Sequence, residues 1–325
     1  MNYKPLLIVL GEPRSVFIEI FLKAYKKLRK KIKRPIILIG SAKLIKKQLN
    51  YFNYNYNTNE IIEDKIKLIK NNKNINIINV DLDVRKPFQK IFNKSNDYIE
   101  NSFNTAIKLL KKKQAIGLLN GPISKKKFLK KSFSGITEYL KYKTSSNNVA
   151  MIIYNRKLSV SPITTHVPIK FVNKNITKKN IKDKIKLINK FFKKFLKKNP
   201  NIAVLGLNPH CETTDSYSEE DKIILPTIKN LKKNGIKISG PFSSDTFFIS
   251  PNYNKFDLVI GMYHDQVLTP IKSIFKFNAI NITAGLPFVR VSPDHGPNEK
   301  MISKNISDPT SIIQSILFFE RSLWN

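Results

Sequence analysis

Short runs of apolar, mostly β-branched residues alternate along the chain with longer stretches whose apolar positions recur at i, i+3 and i+4. The runs at 6–11 ("LLIVLG"), 35–40, 75–81, 115–121, 149–155, 158–164, 202–207, 236–242, 257–263 and 279–283 predict strands. The segments 16–32, 97–113, 179–198, 219–234 and 309–322 predict amphipathic helices. Strands that alternate with helices in this way predict an α/β fold with largely parallel strands. At ~150 residues per domain, 325 residues allow two domains with substantial cores. The lysine-rich stretches 42–74 and 170–182 are polar and poorly periodic, and read as insertions or surface loops. No internal repeat is visible, and the weakest patterning falls near 122–136 and 270–280.

Composition changes this picture little. The formal charge of +35 raises nucleic acid or an anionic membrane as partners. However, 51 of the 58 basic residues are lysines scattered between apolar residues on nearly every predicted helix, as solvated faces require. Arginine, the better reader of phosphates and base edges, occurs seven times. A compositional bias toward Lys, Ile and Asn explains the charge better than a dedicated nucleic-acid surface, and a general attraction for anionic substrates remains. One cysteine, Cys211, allows no intramolecular disulfide and suits a reducing compartment. The opening apolar run is too short for a signal-peptide core and no later run approaches a membrane span. The expectation is a cytoplasmic protein with no membrane contact.

In open α/β sheets, ligands bind beyond the carboxyl ends of strands. Three of the four histidines stand there: His166 in "SPITTHVP", His210 in "VLGLNPHCE" and His264 in "VIGMYHDQ". The fourth, His295, lies in "SPDHGP". Three neutral imidazoles converging on one point would hold Zn²⁺ or a similar divalent ion with positions left for substrate. Their spacing carries no metal signature, and each alone also suits a hydrogen-bonded structural histidine. Lys272, Asn281 and Arg290 follow the third histidine and suit an anionic substrate. Asp245 in "PFSSDTFF" and Asp265 beside His264 suit general acid–base work, and equally a cap or turn. Cys211 reads as filling a small space rather than as a thiolate ligand. No G-x-G-x-x-G or P-loop pattern occurs, and 11 glycines make a nucleotide site of either kind unsupported.

Taken in order, the motifs resemble one family, 4-hydroxythreonine-4-phosphate dehydrogenase of pyridoxal phosphate synthesis. The resemblance runs through nearly the whole chain, in "GEP…EI" (11–20), "NGPISK" (120–125), "GITEYL" (135–140), "THVP" (165–168) and "GLNPH" (206–210). It continues in "GP…DT" (240–246), "MYHDQ…K" (262–272) and "NITAGLPFVRVSPDHG" (281–296). It implies a fold like that of the isocitrate and isopropylmalate dehydrogenases: two α/β/α domains with an active-site cleft between them. These would be residues 1–128 with 281–325, and residues 129–280, the second carrying most metal and dimer contacts.

The resemblance also implies residue roles. His166, His210 and His264 would be the metal ligands, for Zn²⁺, Mg²⁺ or Co²⁺. Thr137, Lys272, Asn281 and Arg290 would contact substrate, and the metal site would be completed across a homodimer interface. The implied reaction is NAD- or NADP-linked oxidation and decarboxylation of 4-phosphooxy-L-threonine to 3-amino-2-oxopropyl phosphate. The cofactor's own residues are left unassigned.

Several family positions differ. Ile136 stands where the family's "GHTEYL" has histidine, "GEPRSVFIE" replaces a glycine-rich opening, "HCETTD" replaces "HAGEGG", and "DHGPN" replaces "DHGTA". Ile136 keeps open a related dehydrogenase for another phosphorylated hydroxy acid, such as threonate or erythronate phosphate. A catalytically weakened, basic polyanion-binding protein is the reading from a different class.

Overall fold

The computed structural model of the chain describes residues 3–90, 94–124, 128–129, 132–133, 135–212, 217–249, 251–293, 296 and 298–321. The chain divides into two compact units, Met1–Leu140 with Pro287–Asn325, and Lys141–Leu286. The sequence-based division at 128 and 281 lies 12 residues from the first of these crossings and six from the second, so β11, defined below, belongs with the second unit.

The first unit opens with β1 (Leu6–Val9), α1 (Phe17–Leu28), β2 (Ile36–Gly40), α2 (Ala42–Tyr51), β3 (Thr58–Glu60), β4 (Ile75–Asn79), α3 (Lys94–Lys111) and β5 (Gly117–Asn120), and the chain leaves it within α4 (Ile136–Lys143). The second unit holds β6 (Ala150–Tyr154), β7 (Ser159–Pro162), α5 (Val172–Asn175), α6 (Lys178–Phe195), β8 (Ile202–Leu205), α7 (Leu225–Lys233) and β9 (Ile238–Phe242). It continues with α8 (Ser244–Phe247), β10 (Leu258–Gly261), α9 (His264–Phe275) and β11 (Ile280–Ala284). The chain then returns to the first unit as β12 (Val289–Pro293) and α10 (Thr310–Phe319).

Strand order in the first unit is β3-β4-β2-β1-β5-β12, and in the second β11-β6-β7-β10-β8-β9. Pairing is parallel except at β6, which runs antiparallel to both β11 and β7. Strands β1, β5, β8 and β10 are buried along their whole length, which is why they read as unbroken apolar runs rather than as alternating ones. α3 packs on β1, β2 and β5, while α9 packs on β7 and β10. α6 buries Ile181, Ile185, Ile188, Phe191 and Phe192 along one stripe. Each such side chain contributes about 1.5–3 kcal/mol of burial free energy.

The expectation for 42–74 and 170–182 is corrected. Residues 42–51 form α2, because Ser41 accepts a hydrogen bond from Leu44 N–H at the N-cap and Ala42, Leu44, Ile45, Gln48 and Leu49 are buried. Its lysines fill the remaining face and mask the period. Strand β3 and helix α5 likewise lie inside stretches read as loops. His264 follows β10 as expected, but the strand stops at Gly261 rather than at 263, and His264 is the first residue of α9.

Candidate active site

In the second unit, β10 lies between β7 and β8 and is parallel to both. Their carboxyl ends therefore point the same way, and each is followed within five residues by one of the three histidines. Hydrogen bonds beyond the ladder hold these ends together. Ile163 N–H donates to Gly261 O at 2.7 Å, and Thr164 donates to Met262 O through both N–H (3.1 Å) and Oγ1 (2.8 Å). Lys184 of α6 donates to the Ile163 carbonyl beneath the loop that carries His166. A cavity of about 470 Å³ opens beside that loop, lined in part by Thr164, Thr165, Val167, Lys179, Asn180 and Lys184.

The loop after β8 is built on a buried carboxylate. Glu220 Oε1 accepts from Leu207 N–H (2.6 Å) and Asn208 N–H (2.9 Å), and the Asn208 side-chain amide donates to Glu219 and Glu220, each at 2.8 Å. Gly206 is required where this loop begins. A Cβ there would come within 2.6 Å of Cys211 Sγ and 3.0 Å of Glu220 Oε1. The turn ends with His210 and Cys211 both in left-handed backbone conformation, φ 56° and 62°. Side chains other than glycine adopt that region at a cost, so the Glu220 network holds His210 where it stands. Burial, with Glu220 nearby, raises the Cys211 pKa and favours its thiol form.

Burial also pushes the Glu220 carboxyl up, but the hydrogen bonds from Asn208 and Leu207 outweigh it, and its pKa falls below the ordinary 4.5. The folded state therefore favours the ionised form. That stabilisation is complete above the unfolded-state value and is lost as pH falls through the lowered folded value. Glu220→Ala is expected to lower the unfolding free energy at pH 7 by about 2–4 kcal/mol, because two backbone N–H groups lose a buried acceptor. In urea titrations at stepped pH, Glu220→Gln is expected to show a shallower loss of stability than wild type below pH 4.5.

The aspartates pair with histidines. Asp265 Oδ1 lies 2.6 Å from His264 Nδ1. A carboxylate only accepts, so Nδ1 is the donor in this contact. Asp245 Oδ2 lies 3.6 Å from His210 Nδ1, an ion-pair distance rather than a hydrogen bond. Asp245 is held below its ordinary pKa chiefly by the hydrogen bond from Ser243, with a contribution from His210. The His166 and His264 rings lie 6.1 Å apart between centroids. Among the described residues, no three His, Cys, Asp or Glu side chains stand close enough to form a metal cluster. The chain thus brings together His166, His264 and Asp265, and separately His210 and Asp245, at the ends of three neighbouring strands.

Lys272 lies on the exposed side of α9, eight residues after His264, which is about 12 Å along the helix. Asn281 sits on β11 opposite Ile153, half-buried, and its Oδ1 has no hydrogen-bond partner. His295 lies outside the described residues, as do its neighbours Asp294 and Pro297, Thr213, Thr214 and Asp215 of "HCETTD", and Lys125 of "NGPISK".

In the first unit, Arg290 occupies β12 opposite Leu118 and is 1% exposed. Its Nε donates to Asn120 Oδ1 at 2.7 Å. Burial lowers its pKa to about 9 while Glu138 of α4 raises it, so the guanidinium stays a cation at neutral pH. Thr137 is half-buried in the first turn of α4, beside Ile136 and Glu138. Glu138 Oε2 is buried with no hydrogen-bond partner.

Asn120, Lys184, Asn208, Glu220 and Gln266 make contacts around these residues, and Glu138 lies beside Thr137, none of which sequence reasoning singled out. The signal available for Glu219 and Glu220 was a "SEED" run in a chain with only 23 acidic residues.

Open, mainly parallel α/β units with imidazoles and carboxylates beyond strand ends, and a buried guanidinium within a strand, suit an enzyme of the α/β class. The chain belongs to the family of pyridoxal phosphate biosynthetic protein PdxA, whose model matches residues 31–318. A 4-hydroxythreonine-4-phosphate dehydrogenase from Sulfurihydrogenibium sp. (strain YO3AOP1) is 39% identical over 315 residues, 96% of each chain. A D-threonate 4-phosphate dehydrogenase from Pectobacterium atrosepticum is 34% identical over 181 residues, 55% of this chain and 56% of that one. The crystal structure of 4-hydroxythreonine-4-phosphate dehydrogenase from Klebsiella pneumoniae superposes with a TM-score of 0.85 at 25% identity, covering 99% of this chain and 100% of that one. The chain is accordingly a dehydrogenase, an oxidoreductase of pyridoxal phosphate biosynthesis. Among the described residues, no helix is long and apolar enough to cross a membrane.

Proposed function

We propose that the chain oxidises and decarboxylates 4-phosphooxy-L-threonine to 3-amino-2-oxopropyl phosphate and CO₂, with NAD or NADP as hydride acceptor. The observation that carries this reading is the order β7-β10-β8, which sets His166, His264 and His210 at one edge of one sheet. The donor types suit a divalent ion such as Zn²⁺, Mg²⁺ or Co²⁺: imidazole nitrogens, with Asp265 hydrogen-bonded to one ring and Asp245 at ion-pair distance from another, the set being completed across the dimer interface. The ion, when bound, supplies Lewis-acid polarisation of the substrate oxygens. Asp265 then acts through His264, fixing its ring orientation, and Asp245 stands at ion-pair distance from His210; both also serve in acid–base steps.

Arg290 meets an anionic group of the substrate as a buried, oriented guanidinium. Thr137 contributes a hydroxyl, and Lys272 and Asn281 complete the anion and amide contacts. Glu138 Oε2, a buried acceptor without a donor, suits the substrate's ammonium group. A threonate phosphate carries a hydroxyl at that position, so Glu138 favours the amino-acid substrate. Ile136 favours the alternative dehydrogenase for threonate or erythronate phosphate, since it removes a hydrogen-bonding group. No residue is assigned to the dinucleotide. The protein acts as a cytoplasmic homodimer with the site shared across the interface, without a specific nucleic-acid partner.

The test is NADH formation by metal-stripped protein reloaded with Zn²⁺, Mg²⁺ or Co²⁺, with 4-phosphooxy-L-threonine and D-threonate 4-phosphate compared. Metal-dependent turnover preferring the amino acid, with the preference narrowed in Glu138→Gln, is the expected result. Turnover of threonate phosphate alone moves the chain to the second reading. Absence of turnover with either, together with salt-sensitive binding to random DNA, would place it in the polyanion-binding class.

A further inference from the structure

We propose that Gln266 is a positioning residue that locks two of the metal-binding loops to each other, with the buried Glu220 completing the same network. The proposal rests on the reading of His210 and His264 as metal ligands. Gln266 is buried, in the first turn of α9, two residues after His264. Its Oε1 accepts from Met262 N–H at 2.6 Å, reaching back past the start of its own helix. That resembles the N3 side of a capping box, and it fixes the chain just before His264. Its Nε2 donates to Gly206 O at 2.7 Å, where the loop to His210 leaves β8. From there Glu220 holds the next two N–H groups, of Leu207 and Asn208. One side-chain amide therefore spans the ends of β10 and β8, and a carboxylate carries the constraint to within two residues of His210.

The chemistry at this position is specific. A single group must accept from one strand end and donate to the other, inside the fold. Glutamine has both atoms on one planar amide, while glutamate only accepts and methionine does neither. The site is also closed to replacement from behind: a Cβ at Gly261 would lie 3.0 Å from Gln266 Oε1. Without the clasp, the β10 and β8 ends keep their ladder but lose the side-chain link between the two loop starts that lead to His264 and His210. Supports of this kind typically change metal affinity by about 10–100-fold.

The experiment is Co²⁺ binding to the full-length, metal-stripped protein, followed by the visible absorption of the bound ion and by titration calorimetry, for wild type, Gln266→Met and Gln266→Glu. Gln266→Met is expected to weaken Co²⁺ binding by about 10–100-fold and to alter the visible spectrum. Gln266→Glu, which keeps the Met262 contact, is expected to lie between it and wild type. A purely structural role would lower the unfolding temperature and leave the affinity and spectrum of the folded protein unchanged, and that result overturns the proposal. If Gln266→Met does not fold, Gln266→Glu carries the test, and wild-type affinity in that variant overturns it. If wild type itself takes up no Co²⁺, the histidine reading fails and this proposal with it; if wild type binds and the variants match it, this proposal alone fails.

Discussion

His210→Ala is expected to abolish metal-dependent NADH formation, lowering kcat by roughly 10³-fold or more. A bound ion contributes several kcal/mol to a transition state in which negative charge gathers on oxygen. At 1.36 kcal/mol per decade, losing about 4 kcal/mol gives that factor. The effect is expected to be local. His210 is exposed, and the buried hydrogen bonds of its loop are made by Asn208, Glu219 and Glu220 rather than by the imidazole. Unfolding midpoints of the variant and wild type should therefore agree, and Co²⁺ uptake should fall together with activity. Strong metal-dependent turnover in His210→Ala would remove His210 from the site. Its left-handed backbone would then have no functional counterpart.

Arg290→Met is expected to lower kcat/KM by about 10²–10³-fold, mainly through KM, since charge-assisted hydrogen bonds to a substrate anion are worth several kcal/mol in a dry site. Arg290→Lys is expected to recover little of this. Lysine has no counterpart to the Nε that donates to Asn120, and that contact is what fixes the plane of the guanidinium. Burial lowers the Arg290 pKa, which means that the folded protein bears a cost for holding the cation. A ligand anion relieves that cost. Wild type should accordingly gain thermal stability on adding the phosphorylated substrate, and Arg290→Met should gain little. Equal KM values for the two proteins would assign Arg290 to the fold rather than to the substrate.

Much of the architecture was legible along the chain because buried parallel strands are short apolar runs with little else to resemble. The run before His166, the run before His210 and the run before His264 each became a strand within a few residues of its expected limits. α2 was missed for a compositional reason. Lys43, Lys46 and Lys47 crowd the sequence around Leu44, Ile45, Gln48 and Leu49, so that its buried stripe reads as a polar segment. β12 was missed because "VRVSP" carries a charge at its second position, and only burial against β5 with Asn120 as partner makes Arg290 tolerable there.

By itself the sequence determined the α/β alternation and the family, and it singled out the histidines, aspartates and cations proposed for the site. Those are local properties: composition, period and motif. Only the tertiary structure decided that β7, β10 and β8 are neighbours, that His264 begins a helix, and that Gln266 and Glu220 hold the loops behind the histidines. Thr164 and Met262 are 98 positions apart and Gln266 and Gly206 are 60 apart, yet each pair shares a hydrogen bond. Such contacts leave no period in the chain, because a hydrogen bond depends on which backbone groups the packing brings within about 3 Å and not on what lies beside them in sequence.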